Sequence, residues 1–470
     1  MRYLLIIILF SSCRLSSTNN PPTPTNVLFI LADDLGINAL GCYGNEYVET
    51  PNIDRLSREG MRFSNGYSAD PTCAPSRGSI MTGQYVPRHG IYRVSDRYEQ
   101  DSITLAAMRY LPPANHRPEG KGVGLDPTEI TLAEAFKAGG YATAGFGKWH
   151  LGQGASAMGR QGFDQAVETT KHYGFKAEPA QTDILVNEYN ADYTTRKGIA
   201  FMKEMKAAGK PFFLYMPYYL VHKPLEPKPG ILAYFKKKHG DKLSMETLQV
   251  LAMIKSLDES VGQLLAALEE LGVVENTLVA FVSDNGHYKT NDAIFNRPYR
   301  GNKGETLEGG IRVPYIFRMP GRIPAATKNA APILHIDLYP TLLDMAGIDR
   351  PTEQVLDGES LVPLLEGQRV DTKREALIWQ YTNYAGYNAK WGNFRSSWVN
   401  VIQSEGYKLT EDVETGKYTL FNLKTDPYEE REIAASNPEI IARLTARLAS
   451  WKQHTGAETP RNNSEYSGKD

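Results

Sequence analysis

Four apolar runs, each stopping at a knot of polar residues, constrain this chain more than any other feature. Val27-Leu28-Phe29-Ile30-Leu31-Ala32 stops at Asp33-Asp34, and Tyr141-Ala142-Thr143-Ala144-Gly145-Phe146 stops at Gly147-Lys148-Trp149-His150. Pro211-Phe212-Phe213-Leu214-Tyr215-Met216 leads towards His222, and Leu278-Val279-Ala280-Phe281-Val282 stops at Ser283-Asp284-Asn285. A strand that is apolar on both faces has to be covered on both, which is the situation in a buried, mostly parallel sheet. Helical segments lie between the runs. Thr131-Leu132-Ala133-Glu134 has capping-box spacing and opens a helix that Gly139-Gly140 stops. Apolar periodicity predicts helices over Asp192–Ala208 and Leu248–Leu271, and a further one over Asp337–Ala346 closed by Gly347. Strands alternating with helices predict an α/β fold: a large, mostly parallel sheet flanked by helices. Ligands in such folds sit at the carboxyl ends of the strands. Every polar knot lies at such an end, so all four are expected to meet in one site.

From Pro351 onward the pattern changes. Leu377-Ile378-Trp379-Gln380-Tyr381, Ser397-Trp398-Val399-Asn400-Val401-Ile402 and Tyr418-Thr419-Leu420-Phe421-Asn422-Leu423 predict a small antiparallel sheet, followed by a helix over Pro438–Trp451. A chain of 470 residues exceeds what one core usually organises, so two units are expected. These are a large domain over 21–350 and a smaller α+β unit over 351–456, with a disordered tail over 457–470. Residues 1–20 read as a signal peptide and tether. Arg2 supplies charge, Leu4 to Phe10 is an apolar run too short to span a bilayer, and Ser11-Ser12 precede Cys13. Small residues before a cysteine also suit lipidation of Cys13, although Phe10 stands where Leu is usual. The expectation is a bacterial protein exported to the periplasm or cell surface, held to a membrane only through a lipid on Cys13. A net charge of -2 gives no reason to invoke nucleic acid. With only Cys13, Cys42 and Cys73, no disulfide framework is available.

The knots contain chemistry. Asp33, Asp34, Asp284 and Asn285 are hard oxygen donors suited to Ca²⁺, or less well Mg²⁺, and unsuited to Zn²⁺. Taken singly, each pair could equally cap a helix or start a turn. Between them in sequence lies Cys73-Ala74-Pro75-Ser76-Arg77, followed by Gly78-Ser79-Ile80-Met81-Thr82-Gly83. This string resembles the signature of the type I sulfatases, and Gly147-Lys148-Trp149-His150-Leu151-Gly152 is similar to the second signature of that family. The likeness runs through nearly the whole mature chain.

The resemblance implies an alkaline phosphatase-like fold and a sulfuric ester hydrolase. It implies that Cys73 is oxidised to formylglycine by a formylglycine-generating or anaerobic sulfatase-maturating enzyme. It implies one divalent cation held by Asp33, Asp34, Asp284 and Asn285 and touching residue 73. It also implies roles: Arg77 steadies the nucleophile, Lys148 and Lys303 clamp the sulfate, His150 is a base and His222 protonates the leaving alcohol. Arg312 is expected to be structural, and His287 either lines the substrate pocket or belongs to a plain loop. A sulfated glycan is the expected substrate. The late aromatics Trp379, Tyr381, Tyr384, Tyr387 and Trp391 either stack on sugar or pack the small sheet. Two other readings remain open at this level: a phosphate or phosphonate monoesterase on the same fold, and a sulfated-glycan binding protein with unmatured Cys73.

Overall fold

The computed structural model describes residues 25–95, 102–116, 123–386 and 394–467. The signal peptide, the tether up to residue 24 and Cys13 lie outside the described residues, as do Tyr387 and Trp391.

A nine-stranded sheet runs through the large domain. Its order is Thr327–Asn329, Met61–Phe63, Tyr315–Arg318, Thr277–Ser283, Asn26–Ala32, Phe212–Pro217, Ala142–Gly147, Gln165–Thr169 and Ala177–Glu178. The five strands from Thr277–Ser283 to Gln165–Thr169 are mutually parallel. Tyr315–Arg318 and Ala177–Glu178 run against their neighbours. The central strand shows why its sequence is apolar without alternation. Leu28, Ile30 and Ala32 enter a core on one face, while Val27, Phe29 and Leu31 enter a second core on the other. The helices Pro51–Arg58, Asn190–Ala208 and Met245–Glu270 cover the first face, and Cys73–Thr82, Leu132–Ala138 and Leu338–Ala346 cover the second. The capping box at Thr131 and Glu134 forms as the spacing predicts.

A four-stranded antiparallel sheet follows, in the order Leu377–Tyr381, Val399–Ser404, Tyr407–Asp412 and Tyr418–Asn422. Its outer face takes Ile440, Leu444 and Leu448 of the helix Pro438–Thr455. Its inner face packs Leu377, Trp379 and Val401 against Tyr67, Tyr85, Ile311 and Ile336 of the large domain. Trp379 and Tyr381 are 2% and 1% exposed, and Trp379 Nε1 donates to Ser68 O at 2.7 Å. Tyr384 is buried as well. For these three aromatics, sugar stacking is therefore excluded by burial, and they fasten the small sheet to the large domain.

The tail differs from expectation too. Arg461–Asn462 pairs antiparallel with Tyr110–Leu111, and Asn463 Nδ2 donates to Leu105 O at 2.7 Å and Met108 O at 2.8 Å. A polar tail is ordered here because another strand and two carbonyls satisfy its backbone and amide groups. Residues 468–470 lie outside the described part.

Candidate active site

The carboxyl edge of the parallel strands gathers the predicted residues. Asp33 and Asp34 follow Asn26–Ala32, Lys148 follows Ala142–Gly147, and Asp284 follows Thr277–Ser283. His222 lies five residues beyond Phe212–Pro217, in a segment pinned to the central strand. Asp33 N donates to Leu220 O at 2.8 Å, and Val221 N donates to Asp33 O at 2.6 Å. Asp34 and His150 have φ of 59° and 62°, a left-handed conformation that non-glycine residues seldom adopt outside functional turns. Gly147 has φ 137°, and a Cβ there would lie 2.0 Å from Pro217 O, so only glycine lets the two strand ends approach this closely.

Cys73 is the first residue of the helix Cys73–Thr82, all of whose residues are buried. Pro75 falls in the first turn, where no amide hydrogen is needed. Ser76 Oγ donates to Asp70 O at 2.8 Å and accepts from Asp70 N at 3.2 Å, which closes the turn leading into Cys73. The Pro-Ser pair thus has a local folding reason to be there. Cys73 Sγ lies 3.3 Å from Asp33 Oδ1, 3.5 Å from Asp34 Oδ1 and 3.1 Å from Lys303 Nζ. One ligand atom from each of Asp33, Asp34, Cys73 and His222 lies within 4.8 Å of the others.

Three cations are interleaved with three carboxylates. Lys148 Nζ is 2.6 Å from Asp33 Oδ2, and Lys303 Nζ is 2.7 Å from Asp34 Oδ1. Arg77 is fully buried; its Nε donates to Asp284 Oδ2 at 2.9 Å, its Nη2 lies 2.8 Å from the same oxygen as an ion-pair contact, and Nη1 donates to Lys148 O. Asp284 Oδ1 also accepts from Asp34 N at 3.0 Å. Burial opposes ionisation of Asp33 and Asp34, but Lys148 beside the first and Lys303 beside the second hold both below the usual carboxylate range. Burial and the Asp33 charge push Asp284 up to about 6. Burial, then Asp284 and Asp33, push the Cys73 thiol well above its ordinary value. Burial lowers Lys303, yet the Asp34 carboxylate outweighs it and raises the ammonium well above its usual range. Burial and the Lys148 and Arg77 charges keep His150 neutral.

The donor set fits a hard divalent cation. Asn285 Nδ2 donates to Asp34 Oδ1 at 2.8 Å, while Asn285 Oδ1 is buried with no hydrogen-bond partner among the described residues. A buried orphan oxygen beside Asp33, Asp34 and Asp284 is a costly arrangement for a protein alone and a natural one for Ca²⁺ or Mg²⁺. Three carboxylates and three cationic side chains balance. A divalent cation would leave two positive charges facing whatever anion enters.

Two residues carry weight that sequence reasoning did not assign. His287 is 1% exposed, and its Nδ1 donates to Asp34 O at 2.6 Å. Its ring buttresses the left-handed turn at Asp34. Tyr219 lies under the site, with Lys148 Nζ 5.5 Å from its ring centroid and the His222 ring 5.1 Å away. Its position two residues beyond the strand was the only signal available. Arg312, expected to be structural, pairs with buried Glu308 at 3.2 Å and lies outside the catalytic cluster.

Residues 25–348 match the family model described as Sulfatase, and residues 302–454 match that described as N-sulphoglucosamine sulphohydrolase, C-terminal. The chain is 29% identical to an N-acetylgalactosamine-6-sulfatase of Canis lupus familiaris, covering 97% of this chain and 90% of the relative. It is 30% identical to a sulfatase of Formosa agariphila, covering 97% and 93%. The crystal structure of Ps i-CgsB superimposes with a TM-score of 0.77 at 26% identity, covering 94% of this chain and 95% of that one. The same protein in complex with k-i-k-neocarrahexaose also gives 0.77, at 25% identity over 95% of each chain.

Proposed function

This chain belongs to the sulfatase family and hydrolyses sulfate esters, and we propose that its substrate is a sulfated carbohydrate met outside the cytoplasm. In this reading a maturation enzyme oxidises Cys73 to formylglycine, and Asp33, Asp34, Asp284 and Asn285 hold one Ca²⁺. The observation that carries it is the convergence of Lys303 Nζ and two carboxylates on Cys73 Sγ, at the mouth of a buried helix. Sγ marks where the oxygens of the oxidised side chain would stand.

The hydrated aldehyde supplies a nucleophilic hydroxyl that a cysteine cannot. The divalent cation supplies positive charge that draws in sulfate and lowers the pKa of a neighbouring hydroxyl. The chain's own groups do the rest. Lys148 and Lys303 hold the sulfate oxygens, and Arg77, fixed by Asp284, adds charge from behind the nucleophile. Preformed donors of this kind need no reorganisation when charge develops in the transition state. His222 donates its Nδ1 proton to Lys223 O, so Nε2 is the atom that faces Asp34, at 3.8 Å, and the entering ester. As the imidazolium, with Nδ1–H kept on Lys223 O, it would give its Nε2 proton to the departing alcohol and be left as the neutral Nδ1–H ring. His150, half-buried next to Lys148 and held neutral, accepts a proton from residue 73 when sulfate is expelled.

The carbohydrate assignment draws support from relatives: one is named for a sulfated amino sugar, and a structural neighbour holds a neocarrahexaose. Export, with a lipid on Cys13, belongs to the same reading and draws its support from residues 1–25. Two measurements test it. Mass spectrometry of the peptide containing Cys73, from a host that makes the maturation enzyme, should show the aldehyde. Sulfate release from a panel of sulfated mono- and oligosaccharides should exceed alcohol release from phosphate and phosphonate esters. An unmodified Cys73 in fully active protein would remove the formylglycine; faster turnover of every phosphorus ester would remove the sulfated sugar.

A further inference from the structure

His172 is a buried, titratable side chain that no step above uses. It is 1% exposed, and its Nε2 lies 2.8 Å from the carbonyl oxygen of His222. A carbonyl can only accept, so His172 carries its proton on Nε2 and donates it to the backbone of His222. The ring lies near-parallel to Tyr189, with centroids 5.8 Å apart and an interplanar angle of 19°. It meets Tyr219 edge-on at 4.9 Å. The backbone of His172 is anchored in turn, because Asn190 N, at the start of the helix Asn190–Ala208, donates to His172 O at 2.8 Å.

His222 is consequently gripped at three points. His172 holds its carbonyl. Lys223 O takes its Nδ1 proton and also accepts from the Tyr219 hydroxyl at 2.9 Å. The Tyr219 ring packs on its face at 5.1 Å. Only Nε2 is left over, and it faces Asp34. On the other side, the Leu220 and Val221 backbone is tied to Asp33. The segment carrying His222 is therefore strung between the central strand and His172.

We infer that His172 is a positioning residue for His222, with the Tyr219 ring as the platform between them. It rests on the reading of His222 as the acid that protonates the leaving alcohol. General acid catalysis by a positioned side chain is worth about 10²- to 10⁴-fold, and it matters most for leaving groups that cannot depart as anions. Misplacing Nε2 should therefore slow a sugar sulfate, whose alkoxide leaves poorly, far more than 4-nitrophenyl sulfate, whose phenolate leaves unaided.

The experiment measures kcat and KM of the matured, calcium-loaded enzyme on both substrates for wild type, His222→Ala, His172→Leu and His172→Gln. His172→Leu is expected to lower kcat on the sugar sulfate about tenfold or more, with KM little changed, and kcat on 4-nitrophenyl sulfate less than about threefold. His172→Gln, whose amide can still reach the carbonyl, should recover most of the loss. If His172→Leu does not fold, His172→Asn, polar but too short to reach, takes its place. Wild-type protein should also show His172 as the neutral Nε2–H tautomer in long-range ¹H–¹⁵N spectra. Equal fractional losses on both substrates for the His172 variants, or none, would overturn the positioning role while a leaving-group-dependent His222→Ala keeps the acid. Equal losses for His222→Ala would remove the acid itself and the inference with it.

Discussion

Lys303 and Lys408 each place an ammonium between two acceptors inside this protein, and the two sites differ in almost everything else. Lys408 Nζ lies 3.0 Å from Glu308 Oε1 and 2.9 Å from Glu429 Oε1, with every partner at most 1% exposed. Around it, Glu308 Oε2 takes Tyr67 Oη at 3.0 Å and Arg312 Nη1 at 3.2 Å, and Glu429 Oε2 accepts from Glu308 N at 2.8 Å. This cluster lies on the seam between the large domain and the small sheet; Glu429 Oε1 makes no hydrogen bond among the described residues but has the Lys408 ammonium 2.9 Å away, so each charge has an opposite charge beside it. Lys303, 20% exposed, reaches Asp34 and Cys73 in a cluster that keeps an orphan oxygen on Asn285 and left-handed backbone at Asp34 and His150. A buried ion cluster that is complete holds parts together; one that is incomplete is waiting for a ligand. The same helix turn links them, since Glu308 and Arg312 follow directly on the loop that delivers Lys303.

The contrast can be broken by substitution. The largest effect expected is for Cys73→Ala: loss of turnover by about 10⁴-fold or more, as for removal of other enzyme nucleophiles. Sulfate release should fall this far with the denaturation midpoint essentially unmoved. A stability loss comparable to that of a seam variant would make Cys73 a structural residue. Next is Lys408→Met, which leaves buried Glu429 without its cation and Glu308 with Arg312 alone, and should cost about 3–5 kcal/mol of stability. It should leave kcat/KM at low temperature within about threefold, because no charge facing the substrate is lost. The double variant Lys408→Met, Glu429→Gln should recover most of the stability, since Glu308 keeps Arg312 as its partner and no other charge of the cluster is left unpaired. Denaturant titration with parallel kinetics would decide; a turnover defect as large as that of a catalytic-site variant would erase the distinction drawn here.

A smaller effect tests buried groups that carry no charge at all. Burial lowers His89 and His335 to about 3, and each donates from Nε2, to Ser79 Oγ and Ser283 O respectively. Below an unfolded value of about 6.5 the unfolded chain takes up protons that the folded protein refuses, so stability is lost as pH falls. Each group contributes about 1.4 kcal/mol per pH unit between about 6.5 and about 3. His89→Gln should shrink the stability difference between pH 7 and pH 5 by about 2 kcal/mol. An unchanged difference would mean that His89 does not stay neutral in the folded protein.

The two clusters also differ in how far the sequence announces them. Asp33, Lys148 and Asp284 each end a hydrophobic strand, and strand ends can be read from apolar runs. The parallel sheet then has to bring them together, which is why the meeting of these strand-end residues was legible in the sequence. Lys408 lies in Tyr407–Asp412, a strand that the sequence reading passed over. Its alternation is broken by a lysine in a core position, and that lysine is neutralised by glutamates 100 and 21 positions away in the chain. No local pattern encodes such a pairing. Trp379 illustrates the same limit: an aromatic that could stack on sugar is buried against Tyr67, because only the folded chain decides which face of the small sheet is covered. The tail failed for a related reason. Its polar composition reads as disorder until Tyr110–Leu111 supplies a strand for it to pair with.

The central claim is that the catalytic cluster is incomplete until a divalent cation joins Asp33, Asp34, Asp284 and Asn285, and that only then does it hydrolyse sulfate esters. The most direct test is sulfate release by the matured enzyme after chelation and during calcium titration, with bound metal measured in the same samples. Release is predicted to vanish on chelation and to return in proportion to one bound ion per chain, and Asp284→Ala should require far more calcium or never recover. Full sulfate release from enzyme stripped of divalent metal would contradict the account.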